Sequence, residues 1–529
     1  MEALRHQNIA QCMADAALRF SGRTALRHQK DAWSYQNMEK TTNQLATGLL
    51  ALGLGPGRHV AFWADATPNA VFTFFALQKI GAVVVMLNTC LEERELQKQL
   101  AVADADFLVV GDSWKEKHFV QDYPNITAQF STKQGLYIGT EEQGHWPSYV
   151  QALAAGGSEE RERLSKLFHT VQPEDLALML FTSGTTGEYK AVCSSGFHLV
   201  NGGLLKANSM EMTSDDVVCC AIPLFHIFCI DVNLMAALLA GACLALPDDR
   251  HTKTVLRCIQ EMGCTVLSSV PSTFLALIGR RDFSSFDVST LRTGIIGGAG
   301  CTPQQFCEID RALDFTLLPG LGQSEVAAGV SVGRRTDSLE VRSTTVGHFV
   351  PFIEGKIVPV NPEANHGGAP IGEVCVRGPM LMKGYYKRPE LTAQAIDGEG
   401  WLHTGDLGWL DTEENLHLAG RIKDVIIRGG ENIMPSELEQ LLDENPCVAN
   451  CKAIGVPDDH YGEEVCLCVV PAEGASLGRE QILERLSGKL AAFKLPKYIL
   501  FLDALPYTDT GKVDRKRLSC IAREGLLKL

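Results

Sequence analysis

The sequence predicts an α/β protein built as two unequal domains, the larger one first. Short apolar runs alternate with helix-period segments from the N-terminus onward, the rhythm of doubly wound parallel sheets. At 529 residues the chain exceeds one ordinary domain. A glycine-rich stretch near residue 425 is followed by a fresh set of alternating strands and short amphipathic helices. Composition is that of a soluble globular protein, 45% hydrophobic and 21% charged. The net charge of −15 argues against a nucleic-acid backbone or an anionic membrane as main partner, while local loops can still bind anionic ligands. No apolar run reaches the roughly 18 residues of a membrane span, so no transmembrane segment is expected.

The first twenty residues place Leu4, Ile9, Met13 and Leu18 at helical spacing, which predicts a surface helix packed on the first domain. Glu2 and Asp15 speak against a transit peptide, and the apolar core of a signal peptide is missing. Thr41 to Leu52 is helical in pattern, Val60 to Trp63 a short strand, and Ala70 to Ile80 a helix closed by Gly81. Ala82 to Leu87 and Phe107 to Val110 read as buried strands. Residues 131 to 170 are polar, with a charged run from Glu159 to Lys166, and are expected to form an irregular surface connection. The 17 cysteines include no Cys-x-x-Cys pair and many sit in apolar runs, so reduced thiols and a cytoplasmic location are expected.

Leu176 to Phe181 reads as another buried strand, followed at once by Thr182, Ser183, Gly184, Thr185, Thr186 and Gly187. A hydroxyl- and glycine-rich loop leaving a strand can turn its N–H groups inward around an anion, and Lys190 could add a charge for a triphosphate. An ordinary polar turn is the alternative. The spacing is not that of a Walker loop, which removes a P-loop kinase or GTPase.

Further along, His226 ends the run Ala221-Ile222-Pro223-Leu224-Phe225-His226 and is either a core histidine or a functional one. Asp231 sits within the apolar run Phe228 to Leu239, where it either caps a helix start or lines a pocket. Leu267 to Pro271 and Thr293 to Ala299, the latter with Gly297 and Gly298, look like strands feeding turns. A helix is expected from Pro435, with Leu438, Leu441 and Leu442 on one face. Val465 to Val470 then forms a strand and Arg479 to Leu490 a helix.

Taken together, these stretches resemble the adenylate-forming superfamily of acyl-CoA synthetases, peptide-synthetase adenylation domains and luciferases. The resemblance rests on the loop at 182–187, on Pro-Leu-Phe-His at 223–226, and on Leu321-Gly322-Gln323-Ser324-Glu325. It rests further on Trp401-Leu402-His403-Thr404-Gly405-Asp406-Leu407-Gly408, Gly420-Arg421-Ile422-Lys423-Asp424, Arg428-Gly429-Gly430-Glu431-Asn432 and Thr510-Gly511-Lys512, in family order over nearly the whole chain. It implies a large N-terminal domain at 1–420 with doubly wound sheets and a small distorted β-barrel. A hinge at 421–425 and a smaller, mobile α+β domain at 426–529 would follow.

The resemblance also implies roles. Thr182 to Gly187 and Lys190 would hold the phosphates of ATP, Gly298 would lie along the adenine, and Gly322, Gln323 and Ser324 would border the nucleotide. Glu325 would bind Mg²⁺, Asp406 the ribose hydroxyls, and Arg421 the ribose and phosphates. Lys423 would be the pivot. Gly430 belongs to a loop facing the pantetheine of coenzyme A, His226 would gate the carboxylic-acid substrate, and Lys512 would be the catalytic lysine.

Some positions depart from the pattern. Leu321 replaces an aromatic residue, Gly300 a proline, Cys229 a glycine beside the acyl channel, and Glu188-Tyr189-Lys190-Ala191 replaces a Pro-Lys-Gly segment. Three readings follow: an acid–thiol ligase that makes an acyl-AMP and passes it to coenzyme A, an adenylating enzyme with another acceptor, or a binding protein that has lost catalysis. The Arg-Gly-Gly-Glu-Asn loop, and the lack of a carrier segment after Lys512, favour the first.

Overall fold

The computed structural model describes residues 3–526 except 115–116, 131–133, 141–145, 184–188, 361–364, 429–430, 459–460, 488, 491–493 and 509–511. Two large sheets form its body. The nine-stranded sheet has a parallel centre in the order Thr316–Gln323, Thr293–Gly297, Val266–Leu267, Val217–Cys219, Cys243–Leu246 and Thr24–His28. Antiparallel strands flank it, Val326–Val332 and His348–Phe349 on one side and Asp31–Ser34 on the other. In the seven-stranded sheet, Leu176–Ser183, Val83–Met86, His59–Trp63, Phe107–Val110 and Gly135–Tyr137 run parallel. Tyr189–Ser195 and the short strand Gly384–Tyr385 complete it antiparallel.

The main core lies between these sheets. It is filled by helices Tyr35–Ala51, Pro68–Lys79 and Gly196–Ser209, whose Leu45, Leu49, Phe74, Phe75 and Leu199 are fully buried. Further helices cover the outer faces, Glu93–Ala103 on one sheet and Thr252–Met262 and Pro303–Leu313 on the other. Burial on both faces explains why the central strands read as unbroken apolar runs. Helix ends match local chemistry: Asn8 caps Ile9–Arg19, Thr67 precedes Pro68, and Gly81 (φ +70°) turns the chain into its next strand.

A third sheet, four-stranded and antiparallel, joins Glu354–Pro359, Gly372–Arg377, Leu402–Leu410 and Leu416–Arg421. After a single turn at Ile422–Asp424 comes the smaller unit, a five-stranded sheet with its own core around Leu438, Val465, Leu467 and Ile482. It packs on the four-stranded sheet through Met434, which meets Leu407 and Ala419, and the Ser436 hydroxyl donates to the Ala419 carbonyl.

The connection expected to be irregular is partly helical. Tyr149–Ala155 and Ser158–Thr170 are helices, and the charged run lies in the second. Leu167 is its only buried residue, so the run shows almost no apolar stripe to mark a helix. The exposed Glu162–Lys166 pair, one turn apart at 2.7 Å, gives it local support.

One carboxylate ties three parallel strands together at their N-terminal ends. Asp216, 3% exposed, accepts from Thr265 Oγ1 at 2.6 Å, Arg292 Nε at 2.7 Å and the Thr213 N–H at 2.8 Å. Burial opposes its charge, but Arg292, Thr265 and Thr213 outweigh it and hold its pKa below the ordinary carboxylate value. The stabilisation is therefore complete above the unfolded-state pKa near 4 and is lost as pH falls through the lower folded value. Asp216→Ala is expected to lower the free energy of unfolding by about 3 kcal/mol, measured by urea titration at neutral pH, with the deficit shrinking in acid.

Candidate active site

The strand Leu176–Ser183 pairs antiparallel with the strand Tyr189–Ser195. Thr182 pairs with Lys190, and Ala191 with Phe181. Gly184, Thr185, Thr186 and Gly187 lie outside the described residues, as does Gly430. Ser183 ends the strand. Ala191 is fully buried within a regular strand, a position that asks for no glycine freedom, so the departure there leaves the backbone unstrained.

Lys190 places its ammonium 4.9 Å from the centre of the Tyr385 ring. The Tyr385 hydroxyl donates to Glu325 Oε1 at 2.8 Å. Burial, then Glu325, push the Tyr385 pKa well above its ordinary value, which keeps the phenol a donor. Glu325 Oε2 accepts no hydrogen bond among the described residues, which leaves a hard oxygen for a hard cation. Glu325 stands in the tight turn between Thr316–Gln323 and Val326–Val332, where Gln323 pairs with Val326. Gly322, Gln323, Ser324 and half-buried Leu321 thus share one hairpin, and Gln323 Nε2 is buried there without a partner among the described residues. Gly298 follows the neighbouring strand with φ +78°, a conformation that favours glycine.

His226 precedes the short helix Ile227–Cys229 and packs its ring 4.5 Å from that of Phe225. The ring is half-buried. Burial, then Lys512 and Arg250, lower its pKa to about 3, so it is a neutral imidazole at physiological pH. Arg250 is held by Asp65 at 2.6 Å.

Asp406 lies opposite Arg421 on adjacent strands and accepts from its Nε at 2.8 Å. At 4% exposed it pays for burial with a raised pKa, which Arg421, Lys512 and Lys423 pull back. Arg421 therefore turns to Asp406 in this structure. Lys512 follows a turn closed by Thr508 N to Lys512 O at 2.7 Å and by Lys512 N to Thr508 Oγ1 at 3.2 Å. Its side chain is open to solvent, yet the surrounding cleft walls, then Arg421, lower its pKa, with Asp406 opposing. The ammonium is close enough to perturb both His226 and Asp406.

Two positions change against the sequence reading. Asp231 caps no helix: it lies inside the π-helical turn Ile230–Met235, and neither carboxylate oxygen has a hydrogen-bond partner among the described residues. Cys229 is fully buried, its sulfur 3.5 Å from that of Cys220, turned into the core. Sequence reasoning also missed Tyr385 and Arg250. The Gly384-Tyr385-Tyr386 run was visible, but its pairing with Glu325, 60 residues away, was not.

The AMP-binding enzyme family matches residues 13–386, and the AMP-binding enzyme C-terminal domain matches 437–512. The chain belongs to the adenylate-forming acyl-CoA synthetase family. YngI of Bacillus subtilis (strain 168) is 32% identical, covering 98% of this chain and 97% of its own. The medium-chain acyl-CoA ligase ACSF2 of Danio rerio is 30% identical over 97% of this chain and 88% of its own. Among solved structures, ATP-bound MatB from Rhodopseudomonas palustris has TM-score 0.82 at 26% identity, covering 97% of this chain and 99% of its own. The amide bond synthetase McbA from Marinactinospora thermotolerans has TM-score 0.84 at 28% identity, with the same coverage.

This acyl-CoA synthetase should show a histidine that stays neutral through the physiological range. NMR of the His226 ring is expected to show no titration between pH 5 and 8. In Lys512→Met the His226 pKa should rise, because a facing cation is removed, but only in part, since burial is the larger cause.

Proposed function

We propose that the enzyme activates a carboxylic acid, fatty or related, as its acyl-AMP and transfers the acyl group to the thiol of coenzyme A. What supports this best is that Lys512 lies within electrostatic range of both His226 and Asp406, which come with it from three separate parts of the fold. In the first step a carboxylate oxygen attacks the α-phosphorus of ATP and the bond to the bridging β-phosphate oxygen breaks, releasing pyrophosphate.

Both reactants are anionic, so approach needs positive charge fixed in advance. Lys512 would face the carboxylate and α-phosphate oxygens, and Lys190 with the segment at 182–187 the remaining phosphates. Neutral His226 would border the acid without adding charge to it. Asp406 would take the ribose hydroxyls and Arg421 would stay close to the phosphates. Gly298, Gly322, Gln323 and Ser324 would line the base and sugar. Glu325 would hold Mg²⁺, which when bound supplies charge neutralisation for the phosphates.

In the second step the thiol sulfur attacks the acyl carbon, the bond to AMP breaks, and the thiol proton leaves to solvent. Lys512 occupies part of the cleft, so the thiol needs the smaller unit to move. We place the division at 1–420 and 426–529, with 421–425 as hinge and Lys423 as pivot. The small contact through Met434 and Ser436 supports that division. Gly430 would then border the pantetheine. The likeness to an amide bond synthetase keeps a second acceptor class, an amine, in view.

Lys512→Ala is expected to lower acid-dependent pyrophosphate release by about 10²–10³. Thiolation of a supplied acyl-AMP by coenzyme A should stay within a few-fold of wild type. Equal loss of both half-reactions would refute the role given to Lys512. Consumption of the adenylate by amines but not by coenzyme A would refute the acceptor.

A further inference from the structure

Close to the cleft, the fold buries two opposite charges that do not touch. Asp231, 2% exposed, lies in the π-helical turn Ile230–Met235. Lys206, 6% exposed, lies on the helix Gly196–Ser209 that packs against that turn. Among the described residues, both Asp231 oxygens lack a hydrogen-bond partner, and no contact ion pair joins Asp231 to Lys206. Asn233 Oδ1, on the same turn, is also buried without a partner.

Leaving such groups unmade costs several kcal/mol for a charged side chain, so the arrangement is expensive as a purely structural feature. Two glycines make room for it. A Cβ on Gly202 would stand 2.8 Å from Asp231 Oδ2, and one on Gly329 would stand 2.9 Å from Lys206 Nζ. Each headgroup therefore rests on bare backbone. Burial lowers the Lys206 pKa to about 8, with Asp231 opposing, and raises that of Asp231, with Lys206 opposing.

Both groups lie along elements that leave the reaction centre. Asp231 is five residues beyond His226, or about 7 Å along a helical path. Gly329, beside the Lys206 ammonium, is four residues beyond Glu325, or about 13 Å along a strand. That separation suits a short or medium acyl chain reaching from the reacting carboxyl to the pair.

A carboxylate only accepts hydrogen bonds and an ammonium only donates them. A methyl terminus does neither, a second carboxylate cannot donate to Asp231, and an amine cation cannot accept from Lys206. A hydroxyl does both. We propose that Asp231 and Lys206 form a polar end-stop of the acyl site that selects short-to-medium carboxylic acids carrying a hydroxyl at the far end. This rests on the acid-activating function proposed above.

The test is ATP-dependent pyrophosphate release with straight-chain acids of four to ten carbons, each compared with its ω-hydroxy, ω-amino and ω-carboxy counterpart. At the preferred length the ω-hydroxy acid should exceed the plain acid by at least about 100-fold in kcat/KM, since a site built for a hydroxyl rejects an analogue that lacks it. Asp231→Asn should reduce that ratio at least about tenfold, and the Asp231→Leu, Lys206→Met double variant should turn the preference towards the plain acid. Retained pyrophosphate release by the double variant with plain acids shows that it folds. Turnover of plain and ω-hydroxy acids at similar kcat/KM, or a ratio unchanged in Asp231→Asn, overturns the end-stop and leaves the ligase reading intact. Pyrophosphate release with none of the acids overturns both.

Discussion

The hydrogen bond from Tyr385 to Glu325 joins the two large sheets beside the candidate site. Tyr385 belongs to the edge strand of the seven-stranded sheet and Glu325 to a hairpin of the nine-stranded one. Backbone contacts reinforce the seam: Met382 N donates to Glu325 O at 2.8 Å and Ala327 N to Met380 O at 3.2 Å. Lys190 stacks its charge on the same ring. The cation of one sheet and the carboxylate of the other therefore hold their relative positions through one buried phenol.

Around this seam the cleft carries a sorted set of charges. Arg421 holds Asp406 at 2.8 Å, and Arg421, Lys512 and Lys423 each help to offset the burial of its carboxylate. Burial, with neighbouring cations adding to it, weakens the hold of Lys512 on its own proton and keeps His226 neutral. A region so rich in positive charge is unfavourable until an anion enters it, and a polyphosphate and a carboxylate are two such anions. The overall acidity of the chain is thus no obstacle to nucleotide binding, because the relevant field is local.

Much of this was legible in the sequence, and the exceptions share a physical reason. The strand and helix rhythm before residue 110 could be read because burial on both sheet faces writes unbroken apolar runs, as in Val83–Met86 and Phe107–Val110. Ser158–Thr170 escaped because a helix with one buried residue carries no periodic signal. Lys512 was legible as part of a motif, but its approach to His226 depends on how the terminal unit docks. For Asp231 the sequence left a helix cap and a pocket lining both open, and the π-helical turn at Ile230–Met235 removes the cap. Tyr385 needed a contact across 60 residues, which no local pattern encodes.

The clamp at Asp216 sits at the opposite end of the nine-stranded sheet from the turns at Gly298 and Gly322. Its partners Thr265 and Arg292 each stand immediately before a strand, whereas Gly298 stands immediately after one and Glu325 two residues after another. The sheet thus has an anchored pole and a working pole. Residues at the working pole can be exchanged during evolution without loosening what keeps the strands in register. An architecture divided in this way lets one scaffold be retuned to new acids while its foundations stay untouched.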